Sequence, residues 1–190
     1  MDTLFSLEPV FPKGFSYFPE FISVTEEDQL LQAISESNLH AFVFQGYEAR
    51  RKVESFGYDW NFASRTLSKG KEIPTVFKPL IEKVSNLVAI HPTDFAELLL
   101  TEYPPGSVIN WHRDAPPFDL IAGISLLSDC VFRFKPQDKM KQSRSSLLSF
   151  TVKRRSLYVM QGDSRFNWQH SILPVAGKRF SITLRTLLDG

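Results

Sequence analysis

The chain has 190 residues and a mass of 21.8 kDa, a length that fits one domain and leaves little room for a second. Hydrophobic residues make up 43% and charged residues 23%, which supplies a packed core and excludes wholesale disorder. Lys and Arg total 22 against 21 Asp and Glu; the net charge of +1 excludes a polybasic, histone-like protein but leaves room for a local basic face. The one cysteine, Cys130, rules out a disulfide framework within the chain and a cysteine-rich zinc module. It suits a reducing compartment, so an intracellular location is expected: cytoplasmic, or nuclear in a eukaryote. Met1 to Pro12 lacks a basic stretch followed by an apolar run, so no secretory signal is expected. No apolar stretch approaches the ~18 residues of a membrane helix, so no membrane partner is expected.

The first forty residues are acidic: Asp2, Glu8, Glu20, Glu26, Glu27, Asp28 and Glu36 stand against Lys13 alone. Thr25-Glu26-Glu27-Asp28 predicts a helix start, with Thr25 as cap and Asp28 reaching back. Leu30, Leu31, Ile34 and Leu39 give that helix an apolar side. Phe42-Val43-Phe44-Gln45 reads as a short strand broken by Gly46. Arg50-Arg51-Lys52 leads into Gly57-Tyr58-Asp59-Trp60, and polar, basic Ser64 to Glu72 reads as a surface loop. Pro74 to Ile90 predicts a second helix, with Phe77, Leu80, Ile81, Val84 and Leu87 on its apolar side and Pro74 in its first turn.

From Ala96 the pattern changes. Leu98 to Tyr103 reads as a strand and Pro104-Pro105-Gly106 as a turn. Further strands are expected at Leu120–Leu127, Val131–Phe134, Leu147–Val152, Ser156–Met160 and Phe180–Leu187. Many short strands between turns predict a mainly β fold with flanking helices (α+β), an antiparallel sandwich or barrel. His40, at the expected end of the first helix, His91, before Pro92, and Cys130 read as structural.

His112-Arg113-Asp114 places a histidine and a carboxylate two apart after a strand, on one face if the alternation continues. His170 follows 56 residues after Asp114. Two histidines and a carboxylate form the facial triad of non-haem Fe(II) sites, with open coordination positions. The same donor set also occurs with zinc in hydrolases, and H-x-D alone fits an ordinary hydrogen-bonded pair. The segment from Arg179 to Arg185 separates these readings. Arg179, Ser181, Thr183 and Arg185 share one strand face; Phe180, Ile182 and Leu184 share the other. A buried row with two arginines needs anionic partners, and a dicarboxylate co-substrate supplies them through a bidentate fork.

These residues resemble the AlkB family of Fe(II)- and 2-oxoglutarate-dependent dioxygenases. The match comprises H-x-D at His112 and Asp114, the distal His170, and R-x-x-x-x-x-R at Arg179 and Arg185. Thr101 to Gly106 is similar to the family's N-x-Y-x-P-G segment, and Phe132-Arg133-Phe134-Lys135 to a segment of its nucleic-acid repair members. The resemblance runs from about Phe42 to Leu187. It implies a single domain, 1–190. Residues 1–95 would hold N-terminal helices and a nucleotide-recognition lid, and 96–190 a double-stranded β-helix (jelly-roll) core. It further implies Fe(II) on His112, Asp114 and His170, which are also the catalytic residues, with 2-oxoglutarate and O₂ as co-substrates. Arg179 would pair with the distal carboxylate of 2-oxoglutarate, helped by Tyr103; Arg185 would lie near the keto-acid end. Ser181 and Thr101 stand where the family commonly has Asn, which shortens two hydrogen-bonding side chains.

The chemistry so implied is oxidative demethylation of alkylated bases, such as 1-methyladenine or 3-methylcytosine, in DNA or RNA. A base in a duplex must be flipped out or already unpaired to reach a buried metal. Tyr58 and Trp60 of the expected lid are candidate base contacts, and Arg51 and Arg133 candidate contacts to nucleic acid. From Arg133 to Arg155 there are eight basic residues against Asp138, which permits a phosphate-binding face. Pro116 stands where repair members often carry an acid that reads the base, so base preference is not carried over. The alternatives are an oxygenase acting on a protein or small molecule, a non-catalytic nucleic-acid-binding jelly roll, and a zinc hydrolase. A monomer is expected for work on a long polymer.

Overall fold

The structure is a computed structural model and describes residues 11–44 and 46–188. The readings on residues 1–10, including Asp2, Glu8 and most of the stretch examined for a secretory signal, and on Gln45 lie outside the described residues. In chain order the elements are β1 (Phe15–Phe18), α1 (Val24–Ser35), β2 (His40–Phe44), β3 (Tyr47–Asn61), β4 (Thr66–Lys69), α2 (Lys78–Val88), β5 (Phe95–Tyr103) and β6 (Ile109–His112). There follow β7 (Phe118–Leu126), β8 (Cys130–Pro136), β9 (Leu148–Val152), β10 (Leu157–Met160), α3 (Asp163–Phe166), β11 (Trp168–Ile172) and β12 (Arg179–Leu187).

Two antiparallel sheets result. The larger runs β1-β10-β7-β12-β5-β3-β2, with β4 paired to β3; the smaller runs β6-β11-β8-β9. They form a jelly roll, as the sequence pattern and the family resemblance imply. The large sheet draws β1, β2 and β3 from the first half of the chain, so the segment before Ala96 supplies strands of the core sheet as well as helices. Period-2 alternation gives this sheet two buried faces. On one, Leu98, Leu100, Ile124, Ile182 and Leu184 pack against Leu30 and Ile34 of α1 and Leu80, Ile81 and Val84 of α2. On the other, Tyr103, Ile121, Tyr158 and Met160 meet Phe132, Phe134, Val152 and Ile172 of the small sheet.

Local chemistry departs from expectation at several ends. The cap of α1 is Ser23: its hydroxyl accepts from the Glu26 N–H, and the Glu26 carboxylate accepts from the Ser23 N–H. Thr25 and Asp28 therefore do not form the cap, because the S-x-x-E box two residues earlier satisfies both orphan donors. Helix α1 ends at Ser35, so His40 opens β2 rather than closing the helix. A 3-10 turn, Thr75–Phe77, precedes α2, whose first turn holds Pro79; Leu87 is exposed. The expected loop Ser64–Glu72 contains β4, a strand solvated enough to lack a hydrophobic pattern.

Gly57 redirects β3. Its φ is +83°, and a Cβ there would sit 2.1 Å from the Ala96 carbonyl oxygen. Its N–H donates to Lys71 O and its carbonyl accepts from Gly70 N–H. Beyond it, β3 leaves β5 and pairs with β4. Phe56, before the glycine, packs in the helix-side core; Trp60, after it, packs against the inter-sheet cluster.

Candidate metal centre and co-substrate site

His112 is the last residue of β6 and pairs directly across from His170 on β11, which puts both imidazoles on the inner face of the small sheet. Their ring centroids are 4.2 Å apart. His170 is buried, with its ring parallel to that of Phe132 at 5.3 Å. Asp114 lies beyond the end of β6, so strand alternation does not aim it, contrary to the expectation from H-x-D spacing. The turn after His112 brings it back instead. Arg165, buried in α3, holds that turn: its Nη2 donates to the carbonyls of Ala115 at 2.7 Å and Phe118 at 2.8 Å, and more weakly to that of Asp114 at 3.3 Å. Arg113 adds a bond from Nη1 to the Phe166 carbonyl at 2.8 Å.

Asp114 Oδ1 lies 3.6 Å from His112 Nε2 and 3.8 Å from His170 Nε2. One ligand atom from each of the three residues lies within 4.8 Å of the others. His112 Nδ1 donates to the Asn110 carbonyl at 2.8 Å, which leaves Nε2 as the bare nitrogen. Burial, helped by neighbouring His112, pushes the His170 imidazole down to about 3, so it is neutral near pH 7. Burial alone would raise the Asp114 carboxyl. The Arg185 charge and the two histidines reverse this and hold it well below the usual carboxylate range. Two imidazoles and one carboxylate around a shared point fit a divalent transition metal.

The second half of the site is the inner face of β12. Arg179, Ser181 and Thr183 are all buried there, as their alternation predicts. Arg179 is 1% exposed. Its Nε donates to Ser125 Oγ at 2.9 Å, and its guanidinium lies 4.8 Å over the Tyr103 ring. Its Nη1 has no hydrogen-bond partner among the described residues, and neither has Arg185 Nε. Buried donors of this kind are costly when unmet. They fit the carboxylates of a keto diacid, which a guanidinium binds by two parallel bonds. Tyr103 Oη and Ser181 Oγ make a long contact of 3.4 Å beside Arg179. Ser181 and Thr101 pair across β12 and β5, so the two positions where the family commonly has Asn are neighbours here.

The four candidate substrate residues divide. Arg51 is half-buried on β3, two residues before Val53, with its guanidinium 4.0 Å over the Phe42 ring; burial lowers its pKa, while Tyr103 acts in the opposite sense. Trp60 and its cross-strand partner Leu67 pack against the inter-sheet cluster, and Tyr58 lies two residues earlier on the same strand. Arg133 is placed elsewhere. Phe132 and Phe134 turn inward, so Arg133 turns outward, away from the histidines; it bonds Ser171 Oγ at 3.0 Å and lies 4.7 Å over the Trp111 ring. Strand parity assigns the inner positions to the two phenylalanines.

Three contributors were not singled out from sequence: Ser125, Arg165 and Glu97. Glu97 is 3% exposed, receives a hydrogen bond from Arg185 Nη1, and accepts from Ser55 Oγ at 3.1 Å. Burial raises its pKa, against the pull of Arg185. An acid within the apolar run Phe95–Leu100, on the parity of Tyr103, is the signal that could have found it.

Comparison with known proteins agrees with this geometry. The family model of the 2OG-Fe(II) oxygenase superfamily matches residues 14–185. The chain belongs to that superfamily. Mouse tRNA (carboxymethyluridine(34)-5-O)-methyltransferase ALKBH8 is 32% identical over 171 residues, covering 86% of this chain and 24% of that protein. The Arabidopsis thaliana alkylated DNA repair protein ALKBH8 homolog is 26% identical over 182 residues, covering 84% and 50%. The zebrafish (Danio rerio) probable RNA/DNA demethylase ALKBH6 is 27% identical over 169 residues, covering 85% and 70%. The chain thus spans between a quarter and half of the first two of these relatives. The solved structure of OsALKBH1 superposes with a TM-score of 0.72 at 13% identity, covering 95% of this chain and 98% of that one, so it shares the fold. The superfamily's name gives Fe(II) and 2-oxoglutarate as what such a site takes, with O₂ as the oxidant of an oxygenase, and the AlkB-homologue names of these relatives agree with the AlkB resemblance of the motifs. No helix among the described residues is long and apolar enough to cross a membrane.

Proposed function

We propose that this dioxygenase removes N-linked methyl groups from bases in nucleic acid, with His112, Asp114 and His170 holding the iron and Arg179 and Tyr103 holding 2-oxoglutarate. The carrying observation is the conjunction of the triad with the unpaired buried Nη1 of Arg179. The iron, with 2-oxoglutarate and O₂, supplies the oxidising chemistry. In the overall balance, one oxygen atom of O₂ enters the methyl C–H bond and the other enters succinate, with CO₂ released. The N-hydroxymethyl product then breaks its C–N bond, giving formaldehyde and an N–H base.

This chain's residues contribute position and protection. Arg179, fixed by Ser125 and the Tyr103 ring, fixes one end of the keto acid. His112, with its side chain 36% exposed, faces the approach, while His170 and Asp114 are sheltered. The names of the relatives, a DNA repair protein and an RNA/DNA demethylase, support a nucleic-acid substrate. So do Tyr58 and Trp60 on the limb beyond Gly57, with Arg51 and the exposed Arg50 nearer the β2–β3 hairpin. A flipped base needs a flat face and the phosphates need cations. The reading takes 1–190 as one intracellular, monomeric domain, with the lid in the segment before residue 96, which also lends strands to the core sheet, and the metal and co-substrate residues after it.

The test is succinate release from 2-oxoglutarate with Fe(II) and ascorbate, on single-stranded oligonucleotides with and without 1-methyladenine or 3-methylcytosine. Methyl-dependent succinate and formaldehyde, lost in His112→Ala and Arg179→Ala, is the expected result. Turnover indifferent to the oligonucleotide transfers the activity to a protein or small molecule. Oligonucleotide binding without any turnover overturns the catalytic reading.

A further inference from the structure

We propose that Glu97 is a positioning residue that holds the Arg185 guanidinium off Asp114, so that Asp114 Oδ1 stays available to the metal. The inference rests on the assignment of His112, Asp114 and His170 as the iron ligands.

Arg185 lies between two carboxylates. Its Nη1 donates to Glu97 Oε2, while its Nη2 lies 3.6 Å from Asp114 Oδ1, beyond hydrogen-bond range. That same Oδ1 faces Nε2 of both histidines. The metal and Arg185 therefore contend for one oxygen atom. A bare carboxylate and a guanidinium at this separation attract strongly in a buried site, so the gap needs a restraint. The guanidinium is rigid and planar, and anchoring Nη1 also fixes Nη2.

The anchor is built into the fold. Glu97 on β5 pairs across from Arg185 on β12, so backbone register sets the two side chains together. Ser55 on β3 fixes the other carboxylate oxygen. The Arg185 guanidinium also lies 5.4 Å over the Phe118 ring. Asp114 cannot retreat, because Arg165 holds the backbone of its turn. Glu97 thus keeps the guanidinium beside Asp114 without letting it bond the ligand oxygen. With Glu97 neutral, Asp114 becomes the better partner, and Arg185 closes onto the ligand oxygen.

The test is a double-mutant cycle on metal affinity, using the full chain without oxygen and Mn(II) as the probe, read by calorimetry and by the EPR signal of free Mn(II). Wild type binds and His112→Ala does not; failure of this control counts against the triad assignment itself. Glu97→Gln, nearly isosteric, weakens Mn(II) binding by about 10-fold, the lower end of what loss of an outer partner costs a metal site. In an Arg185→Gln background the same substitution changes affinity less than about twofold, because the side chain it restrained is gone. Equal weakening in both backgrounds would mean that Glu97 acts only as a distant negative charge. No weakening in either would mean that it does not act on the metal. Either result overturns the proposal. If Glu97→Gln fails to fold, Glu97→Asp, which withdraws the carboxylate by one methylene, gives the same comparison.

Discussion

The large sheet buries both faces, and the two are built of different material. Toward the helices, Leu98, Leu100, Ile124, Ile182 and Leu184 make a continuous apolar layer. Toward the small sheet, the same strands present Glu97, Thr101, Ser125, Arg179, Ser181 and Thr183 among aromatic rings. β12 shows the contrast residue by residue, since neighbours along it belong to opposite layers. Apolar burial at ~25 cal/mol per Å² makes the helix side the main source of stability. The inner layer contains polar and charged groups whose burial costs free energy and which are offset by one another and by ligands. Fold and chemistry are thus separated by half a sheet's thickness, and substitutions on the two faces should fail in different ways.

The largest expected contrast pairs His112→Ala with Leu98→Ala. The first lowers turnover to background, with metal-free thermal stability little changed. The second costs about 2–5 kcal/mol of stability and leaves the rate per folded molecule intact. Denaturant melts beside a succinate assay check both, and a Leu98→Ala protein that is stable but inactive would break the division.

Next is Arg179→Met. The apolar side chain removes a buried, half-satisfied charge, so the metal-free protein is as stable as wild type or more so. The KM for 2-oxoglutarate rises about 100-fold, because a buried charge-paired contact is worth about 2–5 kcal/mol to the bound anion. Thermal shift with added 2-oxoglutarate shows it directly: wild type gains and the variant does not.

Gly123→Ala probes the inner layer without touching a charge. Its Cβ would fall 2.2 Å from Tyr158 Cζ, so the ring must move, at about 1–3 kcal/mol for overpacking. The melting temperature falls, and a parallel rise in KM for 2-oxoglutarate would show that Tyr158 helps shape the co-substrate floor.

The smallest effect lies outside both layers. Ser23→Ala removes the α1 cap at a cost of about 1 kcal/mol, with activity unchanged. Glu26 of that cap has its carboxyl lowered, chiefly by Lys83, whose Nζ lies 2.7 Å away. Its contribution is therefore present above the usual Glu value of about 4.3 and is lost as pH falls through the lowered folded value. Being half-exposed, the pair contributes little. Melts from pH 7 to 3 of wild type against Lys83→Ala read it.

Residues with a periodic partner were legible in sequence. Arg179, Ser181 and Arg185 declare their common face by alternation, and the triad declares itself by residue type and order. What was hidden depends on contacts distant in sequence. Arg165 looks like one more surface arginine until α3 packs it under the Asp114 turn. Glu97 gains meaning only when β5 and β12 pair. The face that Arg133 takes was hidden too, because a basic residue between two phenylalanines carries no sequence mark of it. Strand β4 escaped because Leu67 is the one of its four residues that packs inward, too few to make a hydrophobic pattern.

The place of β12 between β7 and β5 also governs how the molecule is made. Until this strand is synthesised, the large sheet exists as two fragments, β1-β10-β7 and β5-β3-β2, each with an open edge able to pair with another chain. Its pairings with β5 are long-range, so their loop-closure cost falls late and folding is slow. A nascent chain released as far as β11 already carries all three metal ligands and neither co-substrate arginine. Assembly of the catalytic centre is therefore a closing event of folding, and chaperone protection of the β7 and β5 edges would matter most in the interval before β12 inserts.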